Sequence, residues 1–557
     1  MRTIGAACLG LGLLLSLLAV GDLGVPGPYY DEVIQALPSL EFLEGRPRAL
    51  ALPGSEVLRL QGRPFPWMTQ AYMGALKSQL LIPSFAVAGS DLSVLRLTTL
   101  AWSALGLLAC IAFARRVFGS GVALVAGLLV VCDPSFLFLS RHDWGSFSLG
   151  FLLRCASLLF AAAWWESGRL RHALLAGATL GLGIYNKVDF ALFPAAAALA
   201  LLAADREAVL RVVRERRAHA VAAILIAALV ALPVLASLPE LEEAAGRLAE
   251  EVTFSEKARA LGSVLDGSYF LRLMRVGGRF DAMFSLEEIP RGGLAIALLL
   301  TGVGLAVSAV RRRAPPGTVL LLVCGILLAG LLLLLPGAVR AHHLMNLYPF
   351  PHWIVAVGLV ALWRPWGPSD GSSPLRLTAR RAVTGALLLA LVAANLRVGW
   401  HTHADLERSG GRGYWSGAVV EFVEEVAVSP GKRVVCLDWG LHNQVAFLGE
   451  ELHSLDAIWQ VRNALARGEV WSSVGDAGTV YLIHPEPFDL FGLGVRFQSA
   501  LEALPEDRVD VRPYLDREGG VAFLAVRLNG PHRTRYDGRR FAIGLQRAAT
   551  PGAHDGE

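Results

Sequence analysis

Between residues 3 and 400 the chain alternates long apolar runs with short connectors in which arginine is the recurrent charge. A helix that crosses lipid needs ~20 mainly apolar residues, and that template predicts about eleven spans. They fall at 3–21, 93–114, 121–140, 147–165, 172–186, 188–204, 219–238, 292–310, 318–336, 344–363 and 382–400. The first run follows Arg2, as in a signal peptide. No clear small-x-small cleavage site follows it, so it is read as a retained span. Cytoplasmic connectors are rich in Lys and Arg. With the N-terminus inside, five basic clusters all fall on that side: Arg115 and Arg116; Arg169 and Arg171; Arg206, Arg211, Arg214, Arg216 and Arg217; Arg311, Arg312 and Arg313; and Arg364, Arg376, Arg380 and Arg381.

One stretch tests this map. WMTQAYMGALKSQLLIPSFAVAG (67–89) is apolar enough to imitate a span, but as a span it would turn every later arginine cluster outward. Lys77 and Pro83 are both awkward in lipid, so the stretch is expected to be a helix on, or re-entering, the outer surface. EVIQALPSLEFLEG before it looks similar, with Pro38 as a break. Residues 22–92 then form a first outer loop and 239–291 a second. Beyond residue 400 the pattern changes. RVVCLDW (433–439), GTVYLIH (478–484) and VAFLAVRL (521–528) read as strands, with amphipathic helical stretches at 415–428 and 491–504. The expected fold is a polytopic α-helical membrane protein with a C-terminal extracytoplasmic α/β domain. A membrane domain at 1–400 would be followed by the α/β domain at 401–530 and a polar, poorly ordered tail at 531–557.

Composition narrows the class. The 557 residues are 54% hydrophobic and only 18% charged, against about 25% charged in a soluble protein. The net charge of +4 is carried by the connectors rather than by a nucleic-acid-binding face, and no nucleic-acid partner is expected. Of six cysteines, only Cys436 lies outside the apolar runs, so no disulfide framework is predicted. There is no CxxC pair, no HExxH motif, no nucleotide fingerprint and no internal repeat.

The ionisable residues that remain gather on the predicted outer face. Asp31 and Glu32 follow the first span in GPYYDEV. Arg141, His142 and Asp143 lie in SRHDWGSF, and Asn186, Lys187 and Asp189 in IYNKVDF. Arg340, His342 and His343 lie in PGAVRAHHLMNLYPFPHW, which also holds Tyr348. Each group has an ordinary explanation: helix-start acids, a snorkelling lysine, a helix cap at Asp143. Four groups on one side are a shared-site candidate, because ionisable groups at the lip of a membrane bundle are costly. Carboxylates there can take a proton from a hydroxyl or hold an amine. Lys, Arg and His can hold a phosphate and the charge that grows on it as it leaves. An outer-face site has no cytosolic nucleotide to draw on, whereas a lipid-carried phosphate donor reaches it through the bilayer.

These segments, in this order, resemble the GT-C superfamily of polyprenyl-phosphate-sugar-dependent glycosyltransferases. Within it the chain is most like bacterial relatives of the protein O-mannosyltransferases and of the lipid A aminoarabinose transferase. YYDEV matches the family's leading acidic pair, and GSDLSVLRLTTLAWSALGLLACIAFARRVFG its approach to an Arg-Leu-bearing helix. DPSFLFLSRHDWGSFSLGFLLR, GLGIYNKVDFALFP and RAHHLMNLYPFPHW match its later turns over about 22–365. The His342–His343 pair departs from the family's usual Arg-Tyr-Leu-x-Pro pattern. The Trp-Trp-Asp signature of oligosaccharyltransferases is missing, since AWWESG falls on the cytoplasmic side.

The resemblance implies single-step transfer of a sugar, with inversion, from a polyprenyl-phosphate-linked donor to an extracytoplasmic lipid, glycan or protein. The enzyme would be a multi-pass protein of the inner (plasma) membrane. Asp31 would be the base, with Glu32 orienting it or holding a possible divalent cation, and Asp143 would orient the acceptor or a basic partner. Lys187, Arg340, His342 and His343 would bind the lipid phosphate, with Arg141, His142 and Tyr348 as further candidates. A transporter or flippase of a lipid-linked anion is the main alternative, and a non-catalytic scaffold the second. Transporters place their site near the midplane, often within repeats.

Overall fold

The computed structural model describes residues 2–21, 23–48, 54–239, 252–311, 314, 317–336, 340–363, 374–427, 433–450 and 452–545. Arg312, Arg313 and Arg364 of the basic connectors and residues 546–557 of the predicted tail lie outside them.

Every predicted span is occupied by helix. Five single helices are long and apolar enough to cross a membrane: Leu92–Phe118, Trp144–Ser167, Val188–Glu215, Arg217–Ala236 and Leu375–Ser409. Two bent pairs raise the number to seven among the described residues, Ser120–Val131 with Pro134–His142 at 67° and Ala341–Leu347 with Phe350–Trp363 at 40°. The remaining predicted spans are the shorter helices Arg2–Ala19, Leu170–Asn186, Leu294–Val310 and Thr318–Leu334. Membrane helices gain little from apolar burial against one another and rely on close contact instead. Leu170–Asn186 shows how: Gly177 and Gly181 lie against Arg217–Ala236 so closely that an added Cβ would sit 2.2 Å from the Ala223 carbonyl oxygen and 2.6 Å from that of Ala227.

Both bends meet at one buried acid. Asp133 caps the helix Pro134–His142 through the Phe136 amide (2.9 Å). It also accepts from the Tyr348 hydroxyl and lies beside His352 Nε2, each at 3.1 Å. Arg154 donates to the Tyr348 carbonyl at 2.8 Å. Irregular backbone at membrane depth persists only where protein satisfies it, and here the two broken spans satisfy each other.

The first outer loop differs in part from expectation. It holds the short helix Tyr30–Val33 and the helix Leu37–Glu44, in which Pro38 falls in the first turn, where proline is tolerated. A hairpin of β1 (Glu56–Leu60) and β2 (Arg63–Gln70) then leads through β3 (Met73–Gly74) to the helix Leu76–Ala88. The front of the 67–89 stretch is therefore strand. Trp67, Met68 and Thr69 favour extended backbone, and Gly74 lets β3 touch Tyr185, where a Cβ would come within 2.4 Å of the ring.

Beyond the last long helix lie β4 (Arg433–Cys436), β5 (His453–Asp456), β6 (Trp471–Gly475), β7 (Val480–Ile483), β8 (Val509–Leu515), β9 (Val521–Leu528), β10 (His532–Tyr536) and β11 (Phe541–Leu545). One sheet runs β5-β4-β7-β9-β8, with β4 parallel to β5 and β7, and the second runs β11-β10-β6. The helices Ala418–Ala427 and Leu493–Leu501 fall within the predicted helical stretches. Two boundaries differ from expectation. The last long helix continues nine residues past residue 400, to Ser409, and the first part of the predicted loose tail forms β10 and β11. The tail's apolar residues are few but well placed: Tyr536 and Phe541 are buried against Trp471 and Phe497.

Candidate active site

Glu32 and Asp31 are neighbours in one turn of helix and face different surroundings. Glu32 is 1% exposed, and both its carboxylate oxygens receive the guanidinium of Arg96, from Nε at 2.7 Å and from a terminal nitrogen at 2.8 Å. Arg96 also donates to the Leu23 and Pro26 carbonyls at 2.7 and 2.9 Å, so one buried arginine ties the loop after the first span to the helix Leu92–Phe118. The Tyr29 ring lies 4.6 Å from Trp144 and 4.9 Å from Trp415, and the Tyr30 ring 4.7 Å from Trp439. Gln444 donates to the Pro28 carbonyl at 2.7 Å. The acidic turn is thus held between the bundle and the C-terminal sheet region.

Asp31 is left facing a cleft, its side chain 27% exposed, with His342 Nδ1 4.0 Å from Oδ2. Burial of the charge pushes its carboxyl up to about 6, and the positive charges of Lys187, Arg340 and Lys77 hold back a larger rise. Across the cleft the His342 and His343 rings lie 4.2 Å apart, tilted by 42°. His343 Nδ1 is 2.8 Å from Asp189 Oδ2, and Lys187 Nζ is 3.4 Å from that nitrogen and 3.6 Å from the carboxylate. The Arg340 guanidinium lies 3.5 Å over the Phe280 ring.

The floor of the cleft is a tight turn. Asp143, Gly145 and Ser146 have φ of +47°, +60° and +60°, a left-handed conformation that costs ~1–2 kcal/mol for a residue with a side chain. Lys77 holds Asp143 in it, with Nζ 2.9 Å from Oδ2 and 3.0 Å from the backbone oxygen. Asp143 Oδ1 accepts from the Ser148 amide at 2.6 Å, and Ser146 pairs with Asn186 at 2.7 Å. Gly145 abuts His342 so closely that a Cβ would lie 2.7 Å from the ring.

Of the ten residues to which the resemblance gives a role, the structure brings together Asp31, Lys187, Arg340, His342 and His343, with Asp189 of the same clusters beside them. The other five are turned elsewhere. Glu32 is closed onto Arg96 and Asp143 onto Lys77. Arg141 holds the Gly21 and Val25 carbonyls, and His142 accepts from Arg141 Nε at 3.1 Å while packing on Phe138. The Tyr348 hydroxyl points to Asp133. A cation shared by Asp31 and Glu32 therefore does not fit. Glu32's oxygens are both occupied, and among the described residues no three His, Cys, Asp or Glu converge as metal ligands. Sequence reasoning gave no role in the site to Lys77, Arg96 or Asp133. Each stands as a lone charge within or at the edge of an apolar run, which was the signal available.

The broken spans, the anchored first loop and the C-terminal sheets make up a polytopic, mainly helical membrane-protein fold that solved structures share. Residues 79–236 match the sequence model of the family described as dolichyl-phosphate-mannose-protein mannosyltransferase. ArnT from Cupriavidus metallidurans in the apo state aligns over 94% of this chain and 97% of its own, at 11% identity and a TM-score of 0.54. The same protein bound to undecaprenyl phosphate aligns over the same shares at 10% identity and a TM-score of 0.50. The Archaeoglobus fulgidus oligosaccharyltransferase tethered to an acceptor peptide containing the NVT sequon covers 86% of this chain and 69% of its own, at 12% identity and a TM-score of 0.50. At these identities the likeness is one of fold. No curated protein sequence matches the chain.

Proposed function

We propose that this protein moves a sugar, with inversion, from a polyprenyl-phosphate carrier to a hydroxyl or amine of an extracytoplasmic lipid, glycan or protein. The observation that carries the reading is the placement of Asp31. It is the carboxylate of the acidic pair left unclosed, and it faces Lys187, Arg340 and the two histidines across one cleft. Asp31 takes the proton of the acceptor as the acceptor attacks the anomeric carbon. The bond from that carbon to the phosphate oxygen breaks, and its electron pair goes to the phosphate, whose growing charge Lys187 and Arg340 stabilise. The fold shared with a protein that binds undecaprenyl phosphate supports a polyprenyl carrier. The arginine connectors support a plasma-membrane protein whose cleft and C-terminal sheets lie outside.

The test is transfer from undecaprenyl-phosphate-linked sugars by the purified protein, alongside binding of undecaprenyl phosphate itself. Lys187→Met should weaken binding about tenfold to a hundredfold, the worth of one hydrogen bond to a charged group. Binding without transfer from any lipid-linked sugar to envelope acceptors would favour a transporter or flippase. Unchanged binding by Lys187→Met would leave Lys187 an interfacial anchor.

A further inference from the structure

The phosphate side of the cleft contains a carboxylate that the proposed reaction does not use. Asp189 is 8% exposed, 2.8 Å from His343 Nδ1 and 3.6 Å from Lys187 Nζ. It is fixed in place by the turn Val188–Ala191, which follows Lys187 directly, and by Phe190, which packs on Phe193 with the Arg154 guanidinium 5.5 Å above its ring. A carboxylate fixed beside a phosphate-binding lysine works against anion binding, and does so more strongly for each added charge on the anion. Among the described residues the charged and imidazole groups of the cleft are Lys187 and Arg340, the carboxylates of Asp31 and Asp189, and the two histidines, with Lys77 beneath them paired to Asp143. Arg154, the next cation, is committed to the Tyr348 carbonyl and to Asn346. Two cations are therefore matched by two carboxylates before any ligand enters. The space is also narrow, lined by Gly145, Asn186, Lys187, Asp189, His342 and Asn346.

We infer that Asp189 sets the headgroup class of the lipid donor, admitting a lipid monophosphate and turning away a lipid diphosphate. This rests on the proposed glycosyl-transfer reading and narrows it. A sugar phosphodiester carries one negative charge. A diphosphate carries about one more and has to place it within reach of the Asp189 carboxylate. Two like charges about 5 Å apart at an effective dielectric of ~20 disfavour binding by on the order of a hundredfold before screening by salt.

The probes are undecaprenyl phosphate and undecaprenyl diphosphate, bound directly to the purified full-length protein in detergent. The wild type should prefer the monophosphate by about tenfold to a hundredfold. Asp189→Asn should shrink that ratio about tenfold, chiefly through tighter diphosphate binding. Should Asp189→Asn fail to fold, Asp189→Glu keeps the charge and must keep the preference. Equal affinity of the wild type for both lipids, or an unchanged ratio in Asp189→Asn, overturns the inference. A wild-type preference for the diphosphate also overturns it while leaving a lipid-linked donor in place. Binding of neither lipid by folded wild type overturns both this inference and the reading beneath it.

Discussion

Replacing Asp31 by asparagine separates its chemistry from its place in the fold. The side chain keeps its size and loses its charge. A base within reach of its substrate contributes about 10²–10⁴-fold, so transfer should fall by that factor. Stability should move the other way. The Asp31 carboxyl is pushed from 3.8 up to about 6, so the folded protein holds its proton more tightly than the unfolded chain does. A raised carboxyl costs nothing below about pH 4, where both states are protonated. Its cost grows from pH 4 to 6 and is complete above 6. A rise of that size corresponds to about 3 kcal/mol, an upper bound for a side chain 27% exposed to the cleft. Asp31→Asn should therefore melt higher than the wild type at pH 7.5 and at nearly the same temperature near pH 3, below both values of the carboxyl. In transfer assays the wild-type kcat/KM should rise with pH through about 6 as Asp31 ionises. Loss of stability at pH 7.5 would show that the carboxylate is a structural tie. Near-wild-type transfer by the variant would remove Asp31 as the base.

Its neighbour should behave in the opposite way. Glu32→Gln leaves the buried Arg96 without a counter-charge and should cost about 3–5 kcal/mol, read as a large drop in Tm. A stable Glu32→Gln that has lost only transfer would make Glu32 catalytic instead. Gly145→Ala, with its Cβ 2.7 Å from His342 and φ at +60°, should weaken undecaprenyl phosphate binding at least about tenfold, by displacing the histidine and straining the turn. Gly262→Ala, in an open helical position, should stabilise by about 0.5–1 kcal/mol and leave binding alone; equal behaviour of the two variants would refute the packing argument. Cysteines at Ser55 and Ser472 should label with an impermeant reagent from outside and one at Gly317 should not. Labelling at Gly317 alone would reverse the map.

The helices were written into local pattern. Apolar length decides whether a segment can cross lipid, and arginine placement decides which way, because both act on single segments. The strands β4, β7 and β9 were legible for the same reason: short runs rich in valine, leucine and aromatic residues. The ends of β2 and β3 within 67–74 were missed because an apolar run does not declare its period, and pairing with β1 and contact with the helix Leu37–Glu44 and with Tyr185 make them extended. β10 and β11 were missed because a few apolar residues in a charged tail count for little until Trp471 and Phe497 are there to cover them. Five of the ten candidate residues meet at the cleft, since charge in an apolar context marks a place that has to be satisfied. What the sequence could not assign was how each charge is satisfied. Asp31 and Glu32 are adjacent and chemically alike, yet Arg96, 64 residues on from Glu32, closes one and leaves the other facing Lys187. Asp143 could orient the acceptor or a basic partner in the sequence, and only the fold shows the basic partner to be Lys77. Pairing energy depends on distance and burial, and both are set by long-range packing that a local pattern does not contain.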